Sequence, residues 1–203
     1  MGRAFLTLGD SYTVGEGVAP DARWPVQLAV RLRATGVAID GPQVVAATGW
    51  TTAELAAAMD AAVFTPPYAL VTLLIGVNNQ YRGLPVDDYR AEFRALLRRA
   101  IGLADGRTAR VLVVSIPDWS VTPFAARNGC DPAATARAIA ALNAIARAET
   151  AAARAHWVDV TTISRAAGAR DAVTVDGLHP SAAQYARWVD AILPAARAAL
   201  AAF

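Results

Sequence analysis

Five short apolar runs alternate along this chain with longer stretches that begin with helix-start signals. Val and Leu dominate the middle runs without polar alternation, which is typical of strands buried on both faces of a parallel sheet. Strands that alternate with helices predict an α/β fold whose sheet is covered by helices on both sides. The predicted strands are 4–8, 43–47, 69–75, 110–116 and 157–160.

The segments between these runs start with residues that favour helix N-termini. Pro25 lies in the first turn after Trp24. Thr51 and Glu54 have the spacing of a capping box. Asp131 precedes a long Ala-rich stretch, as an N-cap residue does. Helices are predicted over about residues 24–34, 85–104, 131–155 and 180–202, and a further helix is predicted to start at residue 51.

Length and composition indicate one domain over residues 1–203. The chain is 55% hydrophobic, and a domain of this size buries a substantial core. Its formal net charge of +2 and its scattered arginines argue against a nucleic-acid partner.

The sequence also indicates where the protein is located. No run approaches the roughly 20 apolar residues of a membrane span. Because residues 1–5 lack the pattern of a signal peptide, a cytoplasmic location is expected, with a trimmed secreted form left open. The oligomeric state is open as well.

Absent residue types narrow the chemistry. The sequence contains no lysine, which excludes a Walker-A phosphate site, a pyridoxal Schiff base and a Ser-Lys dyad. The single cysteine, Cys130, permits no internal disulfide, and two histidines with one cysteine argue against an ordinary zinc cluster. We therefore expect neither a metal nor a cofactor.

Residues suited to acyl transfer follow the predicted strands. Ser11, Gly49 and Asn78 come just after the first three strands, at the sheet edge where ligands bind in such folds. Asp176 and His179 lie three apart in a polar loop before the last helix. Each residue alone indicates little, since a serine after a strand can simply cap a turn. Together they provide the nucleophile, the base and the orienting carboxylate of Ser-His-Asp acyl transfer.

Four blocks carry these residues: Gly9-Asp10-Ser11, Gly49, Gly76-x-Asn78 and Asp176-x-x-His179-Pro180. They resemble the blocks of the SGNH, or GDSL-type, hydrolases, and the resemblance extends from residue 8 to about residue 181. It implies a three-layer, flavodoxin-like fold with a five-stranded parallel sheet of order 2-1-3-4-5. It also implies esterase or lipase activity on a small-molecule ester, without a metal.

The resemblance assigns a role to each matching residue. Ser11 would be the nucleophile, His179 the general base, and Asp176 the carboxylate that orients the imidazole. The oxyanion hole would consist of the backbone N–H groups of Ser11 and Gly49 and the side-chain amide of Asn78.

Other positions depart from the family's usual pattern or suggest pocket walls. Asn79 stands where the family often has aspartate, and it is the runner-up to Asn78 for the oxyanion hole. Trp50 stands where a small or acidic residue is common, and it is a candidate wall of the pocket. Residues 117–130 form the longest irregular stretch, which is either a plain connection or a pocket wall that includes Trp119. Trp50, Asn79 and Trp119 are therefore candidate substrate-binding residues.

The leading hypothesis is a serine ester hydrolase that acts through an acyl-enzyme. The alternative is a non-catalytic acyl- or anion-binding module on the same fold, because a fold does not determine a function. A flavodoxin-like nucleotide binder is a third hypothesis. The acyl chain length and the leaving group stay open.

Overall fold

The sheet is parallel throughout and has the predicted strand order. The computed structural model describes residues 2–166 and 172–201. Its strands are β1 (Phe5–Gly9), β2 (Gln43–Ala46), β3 (Leu70–Leu74), β4 (Val111–Val114) and β5 (His156–Val158). In the described part of the chain they form one five-stranded sheet in the order β2-β1-β3-β4-β5, with every pair parallel. This order confirms the flavodoxin-like α/β fold class.

The helices are α1 (Ser11–Val14), α2 (Trp24–Ala34), α3 (Thr52–Ala61), α4 (Val77–Tyr81), α5 (Val86–Leu103), α6 (Pro123–Arg127), α7 (Pro132–Ala152), α8 (Thr161–Ala166) and α9 (Ala182–Ala201). The five long helices start within about three residues of the predicted positions, and α2, α5 and α7 end within about three residues of theirs. The predicted end of the last helix, Ala202, lies outside the described residues. The short helices α1, α4, α6 and α8 were not predicted, because four to six residues do not establish a helical period.

β1 lies inside the sheet and leads directly into the loop of Ser11. All five residues of β1 are buried, as are all five of β3, which explains why both runs are apolar without alternation. Gly9, the last residue of β1, pairs with Ala46 of β2 and with Leu74 of β3. A Cβ on Gly9 would stand 2.1 Å from Thr13 Oγ1 and 2.5 Å from the Leu74 carbonyl oxygen. Only glycine therefore lets the chain turn this tightly into α1.

Two groups of helices flank the sheet. α2 packs against α9, and α5 packs against α3 and α7. The first pair completely buries Trp24, Leu28, Tyr185 and Trp188, and burial of each such side chain favours folding by about 1.5–3 kcal/mol. Within residues 2–166 and 172–201, no helix is both long enough and apolar enough to cross a bilayer.

The stretch 117–130 is more ordered than its sequence indicates. It contains one 3-10 turn, Trp119–Val121, followed by α6. The Asp118 side chain accepts from the Ser120 N–H at the start of the turn. The Thr122 side chain accepts from the Ala125 N–H at the start of α6. Two consecutive side-chain caps thus stabilise helical turns in a stretch that was expected to be irregular.

Candidate active site

Ser11 begins α1 immediately after β1, and its position is fixed by Asp10. The Asp10 carboxylate caps α1 by accepting from the Tyr12 N–H over 3.0 Å. The helix ends one turn later at Gly15, which has a φ of 73°, a left-handed conformation that favours glycine. Ser11 is 5% exposed. This sharp strand-to-helix turn holds the hydroxyl at the sheet edge.

His179 joins Ser11 to Asp176 through hydrogen bonds at both of its ring nitrogens. Nε2 lies 2.9 Å from Ser11 Oγ, and Nδ1 lies 2.6 Å from Asp176 Oδ2. Because an ionised carboxylate only accepts hydrogen bonds, Nδ1 carries the proton and donates a hydrogen bond to Asp176. Nε2 is then unprotonated and accepts from the Ser11 hydroxyl. The structure thus brings together the three residues predicted for the triad.

The Asp176 carboxylate is held in its ionised form. Burial alone would raise its pKa, but hydrogen bonds outweigh that effect and lower the pKa to about 2. The Oδ2 atom accepts from His179, while Oδ1 accepts from the Leu178 N–H over 2.7 Å, the His179 N–H over 3.1 Å and the Thr174 hydroxyl over 2.8 Å. The acid is therefore both charged and fixed in orientation.

The imidazole of His179 rests against the ring of Tyr12. The two ring centroids are 5.6 Å apart with an interplanar angle of 59°. The Tyr12 carbonyl oxygen accepts from the Trp24 indole over 3.1 Å and from the Tyr185 hydroxyl over 3.2 Å. Tyr12, the residue that follows Ser11, is thus anchored to both α2 and α9.

Asp10, the residue before Ser11, has a buried carboxyl group. Its residue is fully buried, and its Oδ2 has no hydrogen-bond partner among the described residues. Burial raises its pKa to about 7, although the backbone N–H groups of Tyr12 and of Asp10 itself lower it. Near neutral pH this group is therefore partly protonated.

Gly49 lies in a turn that closes over residues 47–50. The Trp50 N–H donates to the Ala47 carbonyl oxygen over 3.3 Å, and Gly49 has a φ of 85°. A positive φ at the third residue is the pattern of a type II turn, which requires glycine or asparagine there. The turn therefore explains the need for glycine at this position.

Asn78 lies at the start of α4, after Gly76, which has a φ of 128°. A Cβ on Gly76 would stand 2.6 Å from the Tyr89 ring. The Asn78 amide donates from Nδ2 to the Trp50 carbonyl oxygen over 2.9 Å. An amide nitrogen carries two hydrogens, so one orients Asn78 and the other is available to a ligand.

Asn79 lies away from the cleft and is bonded to Thr52. Its Oδ1 accepts from the Thr52 N–H over 3.1 Å, and its Nδ2 donates to Thr52 Oγ1 over 2.6 Å. The Thr52 hydroxyl donates in turn to Glu92. The Asn79 residue is 2% exposed, and an aspartate in its place could not donate to the Thr52 oxygen.

A cleft of about 170 Å³ opens above Ser11 and His179. Its far wall is aromatic: the Trp119 ring lies edge-on to Tyr81, with centroids 5.6 Å apart, and to Phe124, with centroids 6.1 Å apart. The Trp119 indole donates to Gln80 Oε1 over 2.8 Å, which fixes the central ring. The lining residues are Ser11, Tyr12, Thr48, Gly49, Val77, Asn78, Tyr81, Trp119, Phe124, Leu178 and His179.

The three candidate substrate-binding residues thus have different surroundings. Trp119 lines the cleft, whereas Trp50 packs against the hydrophobic core and meets Asn78 through its backbone carbonyl. Phe124 also lines the cleft and lies in the stretch 117–130 that was a candidate pocket wall, whereas sequence reasoning missed Tyr81 and Leu178. Each lies within a few residues of a block or of Trp119, which was the signal available for them.

Comparisons with known proteins agree with this geometry. The model of the GDSL-like lipase/acylhydrolase family matches residues 7–187. Comparison with curated protein sequences gives no match. The crystal structure of TesA has a TM-score of 0.77 and 22% identity, covering 98% of this chain and 100% of TesA.

Two other solved structures share the fold. The psychrotrophic esterase EstA from Pseudoalteromonas sp., inhibited by monoethylphosphonate, has a TM-score of 0.72 and 18% identity over 96% of this chain and 97% of EstA. The W215I variant of Axe2, an acetyl xylan esterase from Geobacillus stearothermophilus, has a TM-score of 0.72 and 20% identity over 96% of this chain and 94% of Axe2. Because the family model spans most of the sequence and the fold is that of known esterases, this chain belongs to the GDSL-like lipase/acylhydrolase family and is a carboxylic ester hydrolase.

Proposed function

We propose that this protein hydrolyses small acyl esters through an acyl-enzyme formed on Ser11. The observation that carries the proposal is the continuous hydrogen-bond relay from Asp176 through His179 to the Ser11 hydroxyl. An unactivated serine is a weak nucleophile, and a base within hydrogen-bond distance is what activates it. The relay supplies that base already in the required tautomer.

The reaction has two halves. In the first, Ser11 Oγ attacks the ester carbonyl carbon while its proton passes to His179 Nε2. The tetrahedral intermediate then collapses, the alkoxide leaving group takes that proton, and an acyl-serine remains. In the second half, water gives a proton to Nε2 and attacks the acyl carbon, after which Ser11 leaves with the proton. Asp176 stabilises the imidazolium in both halves and is not itself protonated.

The negative charge that develops on the carbonyl oxygen needs donors that are already in place. We assign the Ser11 N–H, the Gly49 N–H and the Asn78 amide to this role, since all three residues line the cleft. The bond from Asn78 to the Trp50 carbonyl supports the assignment, because it holds the amide in one orientation before substrate binds. Removal of one such donor typically lowers kcat by about 10²–10³-fold.

The size of the cleft favours a short acyl group. A cavity of about 150 Å³ holds a molecule the size of benzene, and this cleft is of similar volume, about 170 Å³. The rings of Trp119 and Phe124 line this cleft, and its volume accommodates an acyl chain of a few carbons. We therefore propose acetyl-to-butyryl esters as the preferred substrates.

The test combines a substrate panel with an active-site label. Purified protein should hydrolyse p-nitrophenyl acetate and butyrate faster than the octanoate and palmitate esters, and the same panel should include acetylated sugars. A fluorophosphonate probe should label wild type and Ser181→Ala, a nearby serine variant, but not Ser11→Ala. Ser11→Ala should have no esterase activity, and its circular dichroism spectrum should show that it is folded.

Other outcomes would contradict the proposal. If Ser11→Ala kept most of the wild-type activity, Ser11 would not be the nucleophile. If the probe failed to label wild-type protein and no ester of the panel were hydrolysed, the site would be a non-catalytic binding module. Faster hydrolysis of palmitate than of acetate would contradict the short-acyl assignment alone.

A further inference from the structure

Arg82, the residue that follows α4, contacts the turn that carries Gly49. Its Nη2 donates to the Gly49 carbonyl oxygen, and its Nη1 forms an ion pair with Glu54 Oε1 over 3.2 Å. Glu54 also completes the capping box of α3, accepting from the Thr51 N–H over 2.7 Å. One guanidinium thus connects the end of α4, the turn at Gly49 and the start of α3.

The turn is also closed by the bond from the Trp50 N–H to the Ala47 carbonyl and held by the Thr48 hydroxyl, which donates to Glu16, but little packs against Gly49 itself. Apart from Gly49 and its two chain neighbours, the described residues place a single heavy atom within 4 Å of the position that a Cβ on Gly49 would occupy. That atom is Arg82 Nη2, at 3.7 Å. Side-chain packing therefore does not hold Gly49, and glycine itself allows more backbone conformations than any other residue. Hydrogen bonds to the carbonyl groups must set the direction of its N–H.

Two such bonds come from neighbouring positions of one helical segment. Arg82 binds the Gly49 carbonyl, and Asn78 binds the next one along the chain, that of Trp50. Asn78 and Arg82 are four residues apart, which places them on the same side of a helical turn. The carbonyl that Arg82 binds belongs to the peptide unit directly after the Gly49 N–H, so this contact restrains the ψ angle of Gly49.

We propose that Arg82 is a positioning residue for the oxyanion hole, which orients the Gly49 N–H toward the cleft through the Gly49 carbonyl. This inference rests on the proposed function, in which the Gly49 N–H stabilises the oxyanion. Arg82 itself neither touches the acyl carbon nor transfers a proton. Its effect is therefore on the transition state and not on binding of the ester.

The chain offers a close control for its test. Arg99 forms the same pair of contacts on the side of α3 away from the turn: Nη1 donates to the Ala56 carbonyl over 3.0 Å, and Nη2 pairs with Asp60 over 2.8 Å. The exposed fractions of the two side chains are similar, 45% for Arg82 and 34% for Arg99. Arg82→Met and Arg99→Met each remove a carbonyl contact and an ion pair.

We expect Arg82→Met to lower kcat by about 10–100-fold and to leave KM within about threefold of wild type. This decrease in kcat is smaller than the decrease that follows complete removal of an oxyanion donor. The affinity for a trifluoromethyl ketone, which mimics the tetrahedral intermediate, should fall by the same factor as kcat/KM. Arg82→Lys, which keeps one donor for the Gly49 carbonyl, should regain most of the activity. Arg99→Met should keep wild-type kcat.

The proposal is overturned if Arg82→Met keeps wild-type kcat, if it changes only KM, or if Arg99→Met loses as much activity as Arg82→Met. Should Arg82→Met fail to fold, Glu54→Gln provides the test, because it removes the charge that pairs with Arg82. We then expect a kcat below that of wild type, and a wild-type kcat overturns the proposal. A failure of the proposed function has a different signature, since Ser11→Ala would then remain active. An inactive Ser11→Ala together with a fully active Arg82→Met refutes only the role of Arg82.

Discussion

Phe124 and Gly177 are joined by a backbone hydrogen bond of 2.9 Å, from the Phe124 N–H to the Gly177 carbonyl oxygen. From the same helix, α6, the Arg127 guanidinium donates to the Asp176 carbonyl. The helix that carries one wall of the cleft therefore also holds the loop of Asp176, the acid of the proposed triad. The wall can be altered through the Phe124 side chain, but the α6 backbone cannot move without disturbing Asp176.

Phe124→Ala should lengthen the acyl chain that the protein accepts. The substitution removes a ring from the wall of the cleft. It keeps the two contacts that α6 makes with the Asp176 loop, one through the backbone N–H of residue 124 and one through the Arg127 side chain. Each methylene that becomes buried is worth about 0.8 kcal/mol, or about fourfold in kcat/KM. We expect kcat/KM for the hexanoate ester to rise by about tenfold relative to acetate, measured across a p-nitrophenyl ester series. Val121→Ala is the control, and an equal change for every ester would contradict the assignment of this wall.

Asp176→Asn should lower kcat by about four orders of magnitude and leave the fold intact. An asparagine amide donates to Nδ1, so the proton of the neutral imidazole moves to Nε2, which then cannot accept from Ser11. Steady-state kinetics with p-nitrophenyl acetate measure the loss, and circular dichroism checks the fold. A decrease of less than about tenfold would show that Ser11 and His179 act as a dyad.

Asp10→Asn should change how the free energy of unfolding depends on pH. The folded-state pKa of Asp10 is raised to about 7 from an ordinary value of 3.8. Between these two values the unfolded state releases the proton and the folded state keeps it. Wild-type stability should therefore decrease, relative to Asp10→Asn, as the pH rises through this window, by a total of up to about 4 kcal/mol.

Above about pH 7 both states of Asp10 are ionised, and below its unfolded-state pKa both are protonated, so the difference between the two proteins should be constant in both ranges. Urea unfolding at a series of pH values from 3 to 9 measures it. A difference that is independent of pH across the whole series would mean that Asp10 has the same pKa in the folded and unfolded states, and would contradict the raised pKa.

The two adjacent asparagines should respond to substitution in opposite ways. Asn78→Ala should lower kcat by about 10²–10³-fold with little change in the free energy of unfolding. Asn79→Ala leaves the buried Thr52 N–H without its acceptor, so it should reduce that free energy by about 1–3 kcal/mol. Urea unfolding and kinetics on both variants measure the two effects. A larger loss of kcat in a folded Asn79→Ala than in Asn78→Ala would move the oxyanion role to Asn79.

The features that could be predicted from the sequence are those that depend on local pattern. Apolar runs located every strand of the described sheet to within about three residues, and the signal is clearest for β1, β3 and β4, which are fully buried. Ser11 and Asn78 could be placed at one edge because parallel strands end together. The meeting of Ser11 and His179 was expected for the same reason and through the family resemblance.

What could not be predicted depends on partners that are distant in sequence. Asn79 reads as a pocket candidate until the amide is seen bonded to Thr52, 27 residues away. Trp50 reads as a pocket wall, but its ring packs against the core. The aromatic wall needs Tyr81 and Phe124 to meet at Trp119, and no sequence period relates residues on different loops.

Ser11 and His179 lie 168 positions apart in the sequence, and this separation has a consequence for the protein during its synthesis. At about 5–20 residues per second, the ribosome makes Ser11 roughly 8–34 s before it makes His179. For all that time the nascent chain contains Ser11 without the imidazole that it contacts in the fold, and α2 without its partner α9. The proposed site can therefore assemble only after His179 has been made.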